Sequence, residues 1–181
     1  MKRGLPAAAF VLLCISCRGG ASSPTAPAAP AAPTIASVAG LWTATMRLTS
    51  ITGGECVGTT SQATVGALNT YALQVTQNGS SLTAVATNTA TGNYMYLSGT
   101  AGTSAITLNA TYSSTAIIYG YLCSGGSHRD IVLTAATINA VVGGNSATGT
   151  YAESDNVCLP GTTTAVPGGG MTVNGTFTMN R

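Results

Sequence analysis

Few residues in this chain carry side chains that could perform acid–base or metal chemistry. Glu153 and Asp155 lie two residues apart, so on a β-strand they would share one face with Cα atoms about 6.5–7 Å apart. Paired carboxylates of this kind cleave glycosides or bind calcium. These two end a predicted strand beside Asn156 and have no further carboxylate nearby, so we predict a solvated strand end.

The single histidine, His128, lies in the stretch SHRD, between Ser127 and Asp130. A catalytic triad requires convergence in space rather than adjacency in sequence, so we predict a polar turn here. The stretch PGGG at 167–170 lacks the Lys-Ser/Thr ending of a phosphate-binding loop. With so few titratable groups, we predict that the protein is not an enzyme and that it holds no metal and no cofactor.

Four tyrosines come as pairs two residues apart, Tyr94 with Tyr96 and Tyr119 with Tyr121. Inward-facing pairs would line a cavity with rings and hydroxyl groups, which suits a small, weakly polar ligand. Outward-facing pairs would form aromatic ladders for carbohydrate or protein contact. A third alternative is cross-strand packing that binds nothing. The sequence leaves all three alternatives open.

The elements that must position these residues are β-strands. From residue 40 onward the chain is rich in Thr, Val, Ile and Tyr, and apolar and polar residues alternate, as in LWTATMRLT at 41–49. Such alternation is typical of half-buried antiparallel strands. We predict nine strands, near 41–49, 71–77, 81–87, 94–99, 105–112, 117–123, 131–142, 146–153 and 171–179.

Short glycine-containing turns join these strands into sequential hairpins, and the clearest is Asn78-Gly79. An antiparallel meander of eight to ten strands folds as an up-and-down barrel or as a sandwich, and we predict an all-β barrel. A closed antiparallel barrel needs an even number of strands. Either residues 60–65 therefore supply a tenth strand, or one of the nine is not a strand.

Residues 1–16 have the layout of an export signal, with two positive charges, an apolar run and a small residue before Cys17. The apolar run is too short to cross a bilayer as a permanent helix. Residues 17–38 are rich in Pro and Ala and contain no aromatic residue, so we predict a disordered tether. Residues 39–181 then form one folded domain of about 140 residues.

The stretch CISC at 14–17 resembles the lipobox of bacterial lipoproteins, in which the signal is cut before a cysteine that is then lipidated. The resemblance implies a membrane anchor at Cys17. In enterobacterial lipoproteins an Asp after that cysteine retains the protein at the inner membrane, and here Arg18 stands there, which implies delivery to the outer membrane. The alternative is an ordinary signal peptide cleaved near Ala21.

The stretch GLW at 40–42, which opens the first predicted strand, resembles the G-x-W motif of lipocalins and related calycin barrels. In that superfamily an arginine near the end of the barrel packs over the tryptophan. In a closed antiparallel barrel the end of the last strand lies beside the start of the first. The resemblance therefore implies that Arg181 packs against Trp42.

Charge excludes one large class of partner. The net charge of +2 equals the contribution of Lys2 and Arg3 in the signal, and the charges in the rest of the chain cancel. Without a basic patch, nucleic-acid binding lacks its usual electrostatic contribution, so we predict no nucleic-acid partner.

Three cysteines lie beyond the signal and the anchor: Cys56, Cys123 and Cys158. They have no metal-ligand spacing, and in an oxidising compartment they predict one disulfide and one leftover thiol. The predicted strands 131–142 and 146–153 carry the chain across the barrel and back between Cys123 and Cys158, so we predict that these two form the disulfide. The partner of Cys56 stays open.

Two functional hypotheses follow for this exported, membrane-anchored barrel of the cell envelope. The first is a binding module for a small hydrophobic ligand. The second is a structural or protein- or carbohydrate-interaction lipoprotein whose interior is filled by side chains. A cavity of several hundred Å³ would favour the first. Its candidate ligand-binding residues are Trp42, Met46, Leu73, Tyr94, Tyr96, Tyr119 and Tyr121.

Overall fold

The structure, a computed structural model, describes residues 31–53, 64–111, 117–123 and 126–181, with the backbone alone at 111 and 117–122. Pro33–Arg181 form one compact unit. The regular secondary structure of the described residues consists of β-strands alone, which are numbered in chain order. They are β1 (Gly40–Gly53), β2 (Leu68–Asn78), β3 (Ser81–Asn88), β4 (Tyr94–Ala101), β5 (Ala105–Thr111), β6 (Ile117–Leu122), β7 (His128–Gly143), β8 (Ser146–Cys158) and β9 (Ala165–Asn180).

The strands form one antiparallel sheet that closes on itself as an up-and-down barrel. β1 pairs with both β2 and β9, which joins the last strand to the first. β5 pairs with residues 135–141 of β7, and β6 pairs with residues 128–132 of the same strand. β5 and β6 therefore follow each other along one edge of β7 and share one position, so the barrel has eight strand positions.

The predicted all-β, up-and-down barrel is confirmed. The even number arises because the strands predicted near 105–112 and 117–123 occupy one position, not because a tenth strand exists between β1 and β2. Of residues 60–65, residues 60–63 lie outside the described residues, and Thr64 and Val65 form a bend and a turn before β2.

The alternation of the strands directs every second side chain into the barrel. We call the end where β1 begins the lower end, and the opposite end the upper end. The largest apolar side chains at the lower end form one buried cluster, which includes Trp42, Met46, Leu73, Leu108, Ile138, Phe177 and Met179. A smaller cluster at the upper end consists of Leu48, Cys123, Ile131, Val157, Met171 and Val173.

Arg181 and the segment before β1 cover the lower end. The Arg181 guanidinium carbon lies 4.2 Å from the centroid of the Trp42 ring, and its Nη2 donates to the Ala39 carbonyl at 2.9 Å. The Trp42 indole N–H donates to the carbonyl of Val38 at 2.8 Å. Val38 lies in the segment predicted as a tether, but it is fully buried because it packs onto the lower cluster.

Candidate functional site

Three of the predicted ligand-binding residues lie in the barrel interior. Trp42, Met46 and Leu73 are each 1% exposed and belong to the same packed cluster as Phe177 and Met179. None of the three lines either of the two outer-face pockets that are described below. Side chains therefore occupy the interior at this level.

The tyrosines of β4 face outward. Met95 and Leu97 are the inward, buried residues of this strand, so Tyr94 and Tyr96 lie on its other face. Their rings meet edge to face, with centroids 5.6 Å apart and planes at 87°, and Tyr96 is 61% exposed. The backbone of β6 includes Tyr119 and Tyr121, but the predictions for their side chains lie outside the described part of the chain.

An open groove of about 700 Å³ runs over the outer face of β2, β3, β4 and β5. Cross-strand pairing aligns its lining residues in two rows, one through Val85 and Tyr96 and the other through Thr83 and Ser98. No lining residue carries a charge. The polar and aromatic side chains of the groove are Gln74, Thr76, Thr83, Tyr96, Ser98 and Asn109.

The rim of this groove is held by paired polar side chains rather than by ion pairs. The Thr137 hydroxyl on β7 donates to Asn109 Oδ1 at 3.0 Å, and the Thr107 hydroxyl donates to Asn139 Oδ1 at 2.9 Å. A second hollow, of about 230 Å³, lies on the outer face of β5, β7 and β8 beside these residues. The outer face thus offers neutral hydroxyl and amide groups.

The carboxyl pair lies inside the barrel, so the predicted solvated strand end is wrong. β8 continues to Cys158 and is paired with β7 and β9 along this stretch. Glu153 and Asp155 alternate with the outward, exposed Ala152 and Ser154. Asp155 is 3% exposed, whereas Glu153 is only half-buried.

Burial raises the pKa of both carboxyl groups. The nearby charge of Glu153 raises the pKa of Asp155 further. The two side chains also form a hydrogen bond, which raises the pKa of Asp155 and lowers that of Glu153. The carboxyl pair therefore retains a proton at neutral pH, and a hydrogen bond joins its two members.

Three further polar side chains belong to this part of the interior. The Tyr71 hydroxyl on β2 is hydrogen-bonded to the Asn88 side chain, and burial, followed by the charge of Glu153, raises the pKa of Tyr71. The Tyr151 hydroxyl is buried, and within the described residues neither it nor Asp155 Oδ1 has a hydrogen-bond partner. We call the five residues together the interior polar group: Tyr71, Asn88, Tyr151, Glu153 and Asp155.

The predicted disulfide between Cys123 and Cys158 is wrong, because Cys158 is a free, buried thiol. Cys123 belongs to the upper interior cluster. Cys158 packs with Val132, which lies between the inward-facing Ile131 and Leu133 and therefore faces outward. The two cysteines lie toward the same end of the barrel but on opposite faces of its wall. Burial, followed by the charge of Asp130, raises the pKa of the Cys158 thiol.

The remaining candidates for chemistry do not assemble into a metal or catalytic centre within the described residues. His128 is exposed at the first position of β7 rather than in the predicted turn. Asp130 is buried, and its Oδ2 accepts a hydrogen bond from the Gly161 N–H at 2.7 Å. No group of three or more His, Cys, Asp or Glu side chains in the described ranges is placed to hold a metal ion. Those ranges also contain no helix of the length and apolarity needed to cross a membrane.

The fold and these two sites define an eight-position antiparallel up-and-down barrel with a neutral outer groove and a buried carboxyl pair. Comparison of the chain with protein-family models, with curated proteins and with solved structures finds no match.

Proposed function

We propose that this protein is an exported lipoprotein of the bacterial cell envelope, anchored by lipid on Cys17, whose barrel binds a neutral carbohydrate on its outer face. The stretch CISC at 14–17 and the Pro- and Ala-rich segment after it support the anchor. Arg18 supports delivery to the outer membrane. The contact between Arg181 and Trp42 in a closed barrel supports a relationship to lipocalin-like barrels.

The observation that carries the carbohydrate proposal is the exposed ring of Tyr96 in an uncharged groove. An aromatic ring packs against the apolar face of a sugar ring, while its hydroxyl group stays available for hydrogen bonding. The amides of Gln74 and Asn109 and the hydroxyls of neighbouring Thr and Ser residues can pair with sugar hydroxyls. The groove volume of about 700 Å³ is within the usual range of small-ligand sites.

A small hydrophobic ligand in the lower interior is the competing hypothesis. Such a ligand would have to displace Trp42, Met46 or Leu73, which are packed and almost fully buried. Close-packed interiors resist insertion of extra volume, so this displacement would cost stability. The outer groove needs no such rearrangement.

Titration calorimetry with maltohexaose, cellohexaose and chitohexaose tests the carbohydrate proposal. We expect binding of at least one of them, with affinity reduced at least about tenfold in Tyr96→Ala. Leu68→Ala is the matched control, because Leu68 is also a large exposed side chain on this sheet but does not line the groove. Absence of binding, or equal affinity in Tyr96→Ala, contradicts the proposal.

The anchor is tested separately by labelling with radioactive fatty acid in an expressing bacterium. We expect label in the wild-type protein and in Cys14→Ala, and none in Cys17→Ala. Recovery of the wild-type protein free in the periplasm without lipid contradicts the anchor but leaves the carbohydrate proposal standing.

A further inference from the structure

Two atoms of the interior polar group lack the hydrogen-bond partners that buried polar atoms normally have. Tyr151 and Asp155 are 2% and 3% exposed, yet the Tyr151 hydroxyl and Asp155 Oδ1 are without a partner in the described parts of the chain. Buried polar side chains in native structures almost always have a partner, and an exception calls for an explanation. A hydroxyl oxygen and a carboxyl oxygen that both lack a donor point to a bound molecule rich in donors.

The electrostatics favour a positively charged molecule. Burial and the interactions within the carboxyl pair account for the pKa shifts of Glu153 and Asp155, with no contribution from a basic side chain. The three basic residues of the described ranges make other contacts or are exposed: Arg47 is exposed on the outer face of β1, Arg181 lies over Trp42 at the lower end, and Arg129 on β7 donates to the His128 carbonyl. A buried carboxylate is stable as a charge only when it is paired.

An ammonium group matches the acceptors better than a metal ion does. Calcium takes six to eight oxygen ligands, and the described residues provide no group of three or more acidic or other metal-binding side chains. An ammonium group has three N–H donors. Asp155 Oδ1, the Tyr151 hydroxyl and the Glu153 carboxylate supply three acceptors on one inward face of β8, and tyrosine rings attract cations.

Solvent reaches this part of the interior. Tyr71, Asn88 and Glu153 lie on the inward faces of β2, β3 and β8, and all three are half-buried rather than buried. Leu73 and Ala86 are the next inward-facing residues toward the lower end of β2 and β3, and each is only 1% exposed. The partial exposure of Tyr71, Asn88 and Glu153 lies outside the closely packed lower cluster.

We propose that the interior polar group is a binding site for a small primary ammonium compound. The ammonium nitrogen donates to Asp155 Oδ1 and to Glu153, the Tyr151 hydroxyl lies on the same inward face of β8, and the apolar substituent packs against Tyr71. The cation replaces the proton that the carboxyl pair holds, so one proton passes from the pair to the buffer for each ammonium ion bound. Tyr71 stays neutral throughout, because its pKa is raised.

Titration calorimetry of the purified exported protein at pH 7 tests this site, with n-butylammonium, the neutral n-butanol and calcium chloride as probes. Repeating the titration in buffers of different ionisation enthalpy measures the protons released. We expect n-butylammonium to bind with release of about one proton, and n-butanol to bind at least about tenfold more weakly. Asp155→Asn and Glu153→Gln should each lower the affinity at least about tenfold, because each removes a charge that pairs with the ammonium group.

Asp130→Asn is the matched control, since Asp130 is equally buried but bonded to Gly161 rather than facing the carboxyl pair. It should bind n-butylammonium as the wild type does. Binding of calcium in preference to n-butylammonium assigns the site to a metal and overturns the proposal. It is also overturned by equal binding of n-butanol, by binding without proton release, or by no binding of any probe. None of these outcomes bears on the carbohydrate groove.

Discussion

Raising the pH from 5 to 8 is expected to destabilise the barrel, because the carboxyl pair in its interior holds a proton that the unfolded chain releases. The ordinary pKa of Asp155 is 3.8, and burial in the fold raises it. A group with a raised pKa in the folded state contributes stability that is full below the unfolded pKa and is lost as the pH rises toward the folded pKa. Stability should therefore fall with rising pH above pH 4.

The magnitude follows from proton linkage. When the folded state binds one proton more than the unfolded state, each unit of increase in pH lowers the free energy of unfolding by about 1.4 kcal/mol. One proton on the pair thus corresponds to a loss of about 4 kcal/mol between pH 5 and pH 8, a large fraction of the stability of a single domain. Asp155 is 3% exposed, so solvent screening does not reduce this effect appreciably.

Thermal unfolding followed by circular dichroism at constant ionic strength measures this dependence. The melting temperature should fall by roughly 4–6 °C per pH unit between pH 5 and pH 8. Asp155→Asn carries an amide that cannot lose a proton in this range, so it should flatten the dependence and exceed the wild type in stability at pH 8. Asp130→Asn, whose substitution leaves the interior pair intact, should keep the wild-type slope.

A wild-type melting temperature that is constant or rises from pH 5 to pH 8 would refute the reasoning, because the pair would then titrate as it does in the unfolded chain. An Asp155→Asn variant that keeps the full wild-type slope would also refute it, since the slope would belong to another group.

Three further predictions follow from the packing. Arg181→Ala should lower the free energy of unfolding by about 1–2 kcal/mol through loss of the contact with Trp42, and Arg47→Ala, on the exposed outer face, should not; chemical denaturation compares them. Without reductant, Cys158 should react with iodoacetamide only after unfolding, and an adduct on Cys158 of the folded protein would contradict its burial. Cys123 is not a free thiol, so peptide mapping should find it joined to Cys56. Gly149→Ala should unfold the barrel or lower its melting temperature sharply, because the added Cβ would lie 1.9 Å from the Asn139 carbonyl oxygen, whereas Gly144→Ala has space around its Cβ and should cost only the strain of its positive φ.

The sequence by itself determined the strands and their order, because both depend on local patterns. Alternation of apolar and polar residues located all nine strands, although several of them, β1, β2, β7, β8 and β9 most clearly, extend beyond their predicted bounds. The hairpin predicted at Asn78-Gly79 exists, but its two turn residues are Gly79 and Ser80, because Asn78 pairs with Ser81 at the start of β3. A meander that closes must place its last strand beside its first, which was enough to bring Arg181 to Trp42.

The inward orientation of the carboxyl pair could have been predicted from the sequence, but the predicted solvated strand end was wrong. Tyr151, Glu153, Asp155 and Val157 continue one period-two series, and its first and last members are apolar or aromatic. That series indicates a strand that continues past residue 153 with Glu153 and Asp155 facing the core. Charged residues rarely lie at buried positions without a partner, and this general preference led to the prediction of a solvated end.

Only the tertiary structure decided which side chains face inward together. The pairing of β7 with β8 shifts by one residue between Leu133 and Ala135, so Leu133 and Ala136 both belong to the lower interior cluster, and no local pattern predicts that shift. Counting strand crossings correctly placed Cys123 and Cys158 at one end of the barrel, but a disulfide also requires both cysteines to lie on the same face of the sheet. The face of a residue depends on bulges and on the closure of β1 against β9, which pair residues more than a hundred positions apart in the chain. The burial that raises the pKa of Asp155 also depends on closure of the barrel, which brings Tyr71 of β2, whose pKa is raised first by burial, close enough for the charges of Glu153 and Asp155 to raise it further.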